Sequence, residues 1–263
     1  MQALALGDRV IHWRSDGPED GPALVFSNSL GTDLRVWSPM TPHLPRGARL
    51  LRYDAAGHGL SDHRGARGIE EHANDLVAVM DAAGVERAVV VGLSVGGLIA
   101  QALAAARPDR VAGLVLSNTA AKIGDAALWD ERIAAIERDG LAPMAETILA
   151  RWFSARFHEE RPAELALWRA MLTRTPVEGY LALCKAIRDA DYRSRAPAIT
   201  APTLALGGSE DGSTPPDVVK ATADLIQGAR FELIEGAGHL PCVEAPKITA
   251  ALIGGFLTEI GYV

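Results

Sequence analysis

The stretch Gly92-Leu93-Ser94-Val95-Gly96 sets a serine between two glycines, directly after the apolar run Ala88-Val89-Val90-Val91 and ahead of a periodic apolar segment that reaches Arg107. That order of strand, sharp turn and helix lifts a hydroxyl off a strand end, while the helix behind it aims N–H groups and a positive dipole end at the same point. The chemistry it suits is nucleophilic attack on an acyl carbonyl. Glycine is needed at 92 and 96 because a side chain at either would meet the facing strand or helix in so tight a bend. A serine that merely caps the helix would account for the glycines too, so the reading depends on its partners.

Ser94 needs a base that takes its proton and later returns it to the leaving oxygen. His239 follows a predicted strand within the glycine-rich loop Gly236-Ala237-Gly238-His239-Leu240-Pro241 and is free to aim its ring. Asp211, in Gly208-Ser209-Glu210-Asp211, also follows a strand and can hold the imidazole tautomer; the chain order Ser, Asp, His suits a strand-turn-helix nucleophile. Glu210 is the rival acid, one carbon longer. Asn118, at the end of the preceding predicted strand, occupies another place for an acid but cannot carry the charge. Among the other histidines, His58 reads as a turn residue near the cleft, and His12, His43, His63, His72 and His158 as solvated or structural. The developing oxyanion needs two donors that do not have to reorganise. The backbone N–H of Val95 supplies one, and that of Leu30, in Asn28-Ser29-Leu30-Gly31-Thr32, the other. Asp54 and Gly57 read as braces of the neighbouring turn.

The elements that must position these groups follow from hydrophobic patterning. Strands are predicted over residues 9–15, 23–27, 48–53, 88–91, 111–117, 202–207 and 229–234, several wholly apolar, as expected of a sheet buried on both faces. Between them come a short or broken helical stretch over 33–44, interrupted by Pro39 and Pro42, and helices over 69–84, to 107, 218–226 and 245–260. Strand-helix alternation implies a mostly parallel central sheet with helices on both faces. The alternation stops between about Asn118 and Ala196, where four helices are predicted: 126–139, capped by Asp125, then 141–157, 162–173 and 176–188. The chain therefore divides into a core of residues 1–120 and 197–263 and an inserted helical lid of residues 121–196. A plain helical layer on the sheet is the alternative.

The composition limits the function. A chain of 263 residues with 48% hydrophobic content buries a full core without staples. A net charge of −7 offers no basic surface for nucleic acid or anionic lipid. Cys184 and Cys242, far apart and outside any CxxC, fit a reducing compartment and argue against a metal cage. With no signal-peptide core and no bilayer-length apolar run, the expectation is a cytoplasmic protein that does not engage a membrane. No metal or organic cofactor is required, since attack, proton transfer and charge stabilisation all have candidates. Assembly into a homo-oligomer is left open.

Taken together, these motifs resemble the α/β-hydrolase superfamily over essentially the whole chain. Within it the chain is similar to the 3-oxoadipate enol-lactonases of aromatic-compound degradation. The closer likeness is carried by the phrases at 26–32, 92–97, Ser117-Asn118-Thr119-Ala120-Ala121-Lys122-Ile123-Gly124, Gly179-Tyr180 with Cys184, and 236–241. The resemblance implies Ser94 as nucleophile, Asp211 as acid, His239 as base, and Leu30 and Val95 as oxyanion donors. Asn28-Ser29 departs from the His-Gly common in the superfamily, and Val95 stands where many members carry a larger residue. The implied substrate is a small anionic lactone, so the pocket should join an apolar wall to a cation. Trp129 with Arg132, one helical turn apart, and Trp152 beside Arg151 are the candidates. A carboxylesterase or perhydrolase acting on neutral esters, a hydrolase of carbon–carbon bonds and a ligand-binding protein on the same scaffold are the alternatives. A dehalogenase would need a carboxylate at position 94.

Overall fold

The computed structural model describes residues 1–63 and 68–263. In chain order the strands are β1 (Gln2–Leu6), β2 (Arg9–Asp16), β3 (Ala23–Ser27), β4 (Arg49–Tyr53), β5 (Ala88–Leu93), β6 (Val111–Ser117), β7 (Thr203–Gly208) and β8 (Arg230–Ile234). They form one sheet in the order β1-β2-β4-β3-β5-β6-β7-β8. The β1/β2 and β2/β4 pairs are antiparallel, and every later pair is parallel. Strands β3, β4, β5 and β7 are buried at every residue. Parallel strands need both faces covered, and their β-branched and leucine side chains gain most from that coverage.

Helices α1 (Ile69–Ala82), α2 (Val95–Ala106), α8 (Pro216–Asp224), α9 (Pro241–Glu244) and α10 (Pro246–Glu259) belong to the strand-helix alternation. Helices α3 (Ala126–Asp139), α4 (Ala145–Trp152), α5 (Ala155–Glu160), α6 (Pro162–Thr173) and α7 (Val177–Asp189) all fall between β6 and β7. Residues 33–44 form only two short 3-10 turns, in keeping with their prolines, with Leu34, Trp37, Met40 and Leu44 buried.

Three differences from the sequence expectation have local causes. Strand β1 was not foreseen: it is a half-exposed edge strand, held by pairing with β2 rather than by an apolar pattern of its own. The single helix expected over 141–157 is broken in two, because Phe153 turns extended and Ser154 starts α5 by accepting the Phe157 N–H at 3.2 Å. The four-residue α9 follows the histidine loop with no periodicity long enough to signal it.

The α3–α7 segment has its own apolar centre, in which Phe153 stacks on Phe157 at 4.2 Å and Trp168 lies 6.2 Å away. Two of its close approaches to the rest of the chain are made by glycines. A Cβ on Gly31 would press on Leu172, Tyr180 and Trp152, and one on Gly57 would collide with the backbone of Gly179. Both glycines have positive φ, so the close approach and the turn demand the same residue.

Candidate active site

β5 ends at Leu93 and α2 begins at Val95, so Ser94 makes the turn alone. Its φ of 57° is, with that of Asn118 at 47°, one of two positive values at non-glycine residues among those described. Strain of this kind persists only where the surroundings impose it. Here a Cβ on Gly92 would strike the Gly96 carbonyl and one on Gly96 the Ser27 carbonyl, so both flanks are packed against backbone. The Ser94 N–H donates to the Ser117 carbonyl at 3.0 Å, and its own carbonyl accepts from Gly97 N–H at 2.8 Å and Thr119 Oγ1 at 2.6 Å. The hydroxyl is left over: among the described residues it makes no hydrogen bond.

The loop after β3 is braced from behind. Asn28 Nδ2 donates to the Tyr53 carbonyl at 2.7 Å and Asn28 Oδ1 accepts from Trp37 Nε1 at 2.7 Å. Thr32 closes the turn by donating to the Ser29 carbonyl from its N–H at 3.2 Å and its hydroxyl at 2.8 Å. Leu30 and Val95 are buried, and neither N–H donates to another described residue. Asp54 holds the adjacent turn as expected, accepting from the N–H groups of Leu34 and Leu60 at 2.8 and 2.9 Å and lying 2.7 Å from His12 Nδ1.

His239 and Asp211 meet at the carboxyl ends of β7 and β8, both buried. His239 Nδ1 lies 3.0 and 2.9 Å from the two Asp211 carboxylate oxygens, which assigns the proton to Nδ1 and leaves Nε2 free to accept. Asp211 also accepts from Ser213 N–H at 2.7 Å, Thr214 N–H at 3.0 Å, Thr214 Oγ1 at 2.8 Å and Asn118 Nδ2 at 2.9 Å. Burial alone would raise this carboxyl, but the charge of His239 and hydrogen bonds from His239, Asn118 and Thr214 outweigh it, holding Asp211 below the usual carboxylate range. The rival acid Glu210 is exposed and makes no bond to His239 among the described residues.

The histidine loop is tied to the α4–α5 junction, a link absent from the sequence reading. His239 N–H donates to the Trp152 carbonyl at 2.8 Å. Glu244 accepts from Gly238 N–H at 2.8 Å, and from Ser154 N–H at 3.2 Å and Ser154 Oγ at 2.5 Å. Burial raises the Glu244 carboxyl above its ordinary value, offset in part by these donors.

The three residues expected at the substrate lie in three different settings. Trp129 donates its indole N–H to the Ile123 carbonyl at 2.7 Å and is buried, so that donor is already used. Arg132 lies with its guanidinium 5.2 Å from the Trp129 ring and has no carboxylate partner among the described residues. Trp152 is packed against Gly31, next to Leu30. Arg151, whose Nε donates to the Gly212 carbonyl at 2.9 Å, is lowered from the usual arginine value by burial and then by the charge of Arg132, which places the two cations within each other's field. His58 is buried 6.4 Å from the Tyr180 ring, and desolvation lowers it to about 4, so it is a neutral imidazole at pH 7.

A sequence profile described as alpha/beta hydrolase fold matches residues 22–246. The chain is an α/β-hydrolase. The hydrolase is 35% identical over 245 residues to 3-oxoadipate enol-lactonase 1 of Acinetobacter baylyi, an overlap covering 93% of this chain and 92% of the relative. The crystal structure of the enol-lactonase from Burkholderia xenovorans is 37% identical and superposes with a TM-score of 0.94, over 98% of the hydrolase and all of that chain. A malate-bound thermophilic esterase from Thermogutta terrifontis follows at 27% identity and a TM-score of 0.90, over 99% of each chain. The fold expectation, a mostly parallel sheet with helices, is therefore met, and so is the likeness to the enol-lactonases.

Proposed function

We propose that the hydrolase opens 3-oxoadipate enol-lactone to 3-oxoadipate through a serine acyl-enzyme, in a cytoplasmic route of aromatic-compound degradation. The observation that carries the chemistry is the pairing of an unbonded Ser94 hydroxyl on a strained turn with a His239–Asp211 couple at the same sheet edge. Ser94 attacks the ring carbonyl as His239 Nε2 takes its proton. The oxyanion takes the free N–H groups of Leu30 and Val95. Collapse of the tetrahedral intermediate breaks the bond to the enol oxygen, which receives the proton from His239, and the acyl-enzyme remains. His239 then deprotonates a water that attacks the ester, and the proton passes to Ser94 Oγ as 3-oxoadipate leaves. A tethered leaving group would ordinarily re-close the ring at high effective concentration. An enol escapes by tautomerising to the ketone.

Three observations support an anionic lactone over a neutral ester. The relatives at about 35% identity are enol-lactonases over most of the chain. Arg132 has no carboxylate partner among the described residues, and Arg151 shares its field. Trp152 beside Leu30 supplies an apolar wall. Purified protein should turn over the enol-lactone faster than neutral phenyl esters of any chain length. Fast cleavage of neutral esters with the lactone untouched would replace this reading by a carboxylesterase. Arg132→Ala should raise KM for the anionic lactone about tenfold or more, the scale of one charged hydrogen bond, and leave KM for a phenyl ester nearly unchanged. Equal effects on both substrates would remove Arg132 from the site.

A further inference from the structure

The tripeptide that closes β6, Ser117-Asn118-Thr119, bonds to the Ser94 backbone, to the Asp211 carboxylate and to the residue before His239. Ser117 O accepts the Ser94 N–H at 3.0 Å, and Thr119 Oγ1 donates to the Ser94 carbonyl at 2.6 Å. Between them Asn118 Nδ2 donates to Asp211 Oδ2 at 2.9 Å and to the Gly238 carbonyl, one residue before His239, at 3.2 Å. The amide cannot flip without loss, because Asn118 Oδ1 accepts from Ser117 Oγ at 2.9 Å. Asn118 is fully buried and holds a φ of 47°, while its own N–H donates to Leu206 O at 2.7 Å. Asparagine is one of the few non-glycine residues that enter the left-handed region, and here its side-chain bonds and its N–H bond hold it there.

We propose that Asn118 is a positioning residue that acts through Asp211, its amide sharing the carboxylate with His239 Nδ1 and so limiting how strongly the carboxylate holds a second proton on the ring that must take one from Ser94. Each hydrogen bond donated to a carboxylate competes with the imidazolium for the same charge. Removing the Asn118 donor leaves more charge for the ring, favours the imidazolium, and moves the onset of activity to higher pH. The other charged groups beside the pair are Arg151, bonded to the Gly212 carbonyl, and Glu244, bonded to Gly238 N–H; Glu210 on the same loop is exposed. None of them contacts Asn118, so a substitution at 118 leaves them in place.

This inference rests on the serine-hydrolase reading, and the experiment separates the two. The probe is p-nitrophenyl acetate, a neutral activated ester. Asn118→Gly removes the amide and relieves the positive φ, and Asn118→Ala removes the amide and keeps the Cβ; a folded variant of either kind suffices. The acidic limb of kcat/KM should rise by about one pH unit, the scale of one charge-assisted hydrogen bond. At neutral pH kcat should fall up to about tenfold, with KM little changed. Thr119→Val, which loses the bond to Ser94 without touching the acid, should lower kcat and leave the limb where the wild type has it. An unmoved limb in the Asn118 variants would make the residue a mere brace and overturn the proposal. Turnover that survives Ser94→Ala would overturn the serine reading itself.

Discussion

The two sides of the candidate site are built to opposite rules. On the β7–β8 side almost every polar atom is already spoken for: Asp211 accepts from His239, Asn118, Ser213 and Thr214, Gly238 N–H is held by Glu244, and His239 N–H by Trp152. On the β3–β5 side the N–H groups of Leu30 and Val95, the buried hydroxyl of Ser29 and the hydroxyl of Ser94 have no described partner. An unsatisfied buried donor costs roughly 1–3 kcal/mol, so the second side is held at the expense of stability. On the proposed mechanism the difference has a reason: groups that steer a proton must keep one arrangement throughout and would be locked, whereas groups that meet a developing charge would be left open for an oxygen that arrives only with the substrate.

The sharpest way to break the comparison is to remove the open hydroxyl. Ser94→Ala should lower kcat on an activated ester by about four to six orders of magnitude and abolish the burst of leaving group. It should also relax an alanine into a strained turn with little gain, so the melting temperature should change by no more than a few degrees. A persisting burst would show that another group is acylated.

How much of this was legible in the sequence follows the same division. The parallel strands announced themselves because a strand buried on both faces has no polar residues to disguise it, as in Val89-Val90-Val91. Ser94, Asp211 and His239 were legible because each sits one or a few residues past such a strand. The places of the Leu30 and Val95 N–H groups were legible too, since backbone groups follow from the turn that carries them. The locks were not. Asn118 was set aside because only its charge was considered, whereas its role in the structure is to donate. Glu244 and Ser154 are 90 residues apart, and no local pattern announces a hydrogen bond of that span. The bond of Trp129 was not legible either, because an indole and an arginine one turn apart fit a pocket wall as well as a packed helix, and the Ile123 carbonyl that takes its N–H follows no rule of spacing.

A smaller effect tests whether the open side depends on the helical segment above it. Gly31→Ala places a Cβ 2.7 Å from Leu172 Cδ1 and 3.1 Å from the Tyr180 ring at a φ of +76°, so the Leu30 peptide must shift. Loss of one oxyanion donor costs on the order of 10²- to 10³-fold in kcat, which bounds the expected drop; KM should move much less. Affinity for a boronic acid, a mimic of the tetrahedral intermediate, should fall in parallel with kcat. A variant that melts lower yet keeps its kcat would show that Leu30 N–H does not meet the oxyanion.

The smallest effect concerns the lock farthest from the chemistry. Ser154→Ala removes a donor to Glu244 and the cap of α5 together, worth about 1 kcal/mol, and should lower the melting temperature by roughly 2–4 °C. Its pH dependence has a definite sign. Burial raises the Glu244 carboxyl in the folded protein, so its charged form is disfavoured there, and stability falls as pH rises from the ordinary carboxylate range through the raised value. Ser154 donates to the charged form and limits that fall. Without it the gap between variant and wild type should widen as pH climbs through this window and narrow on acidification, while kcat drops only a few-fold because Trp152 still holds His239 N–H. A gap constant with pH would mean that Ser154 serves α5 alone and that the carboxylate, not the serine, is what ties the histidine loop to the helices.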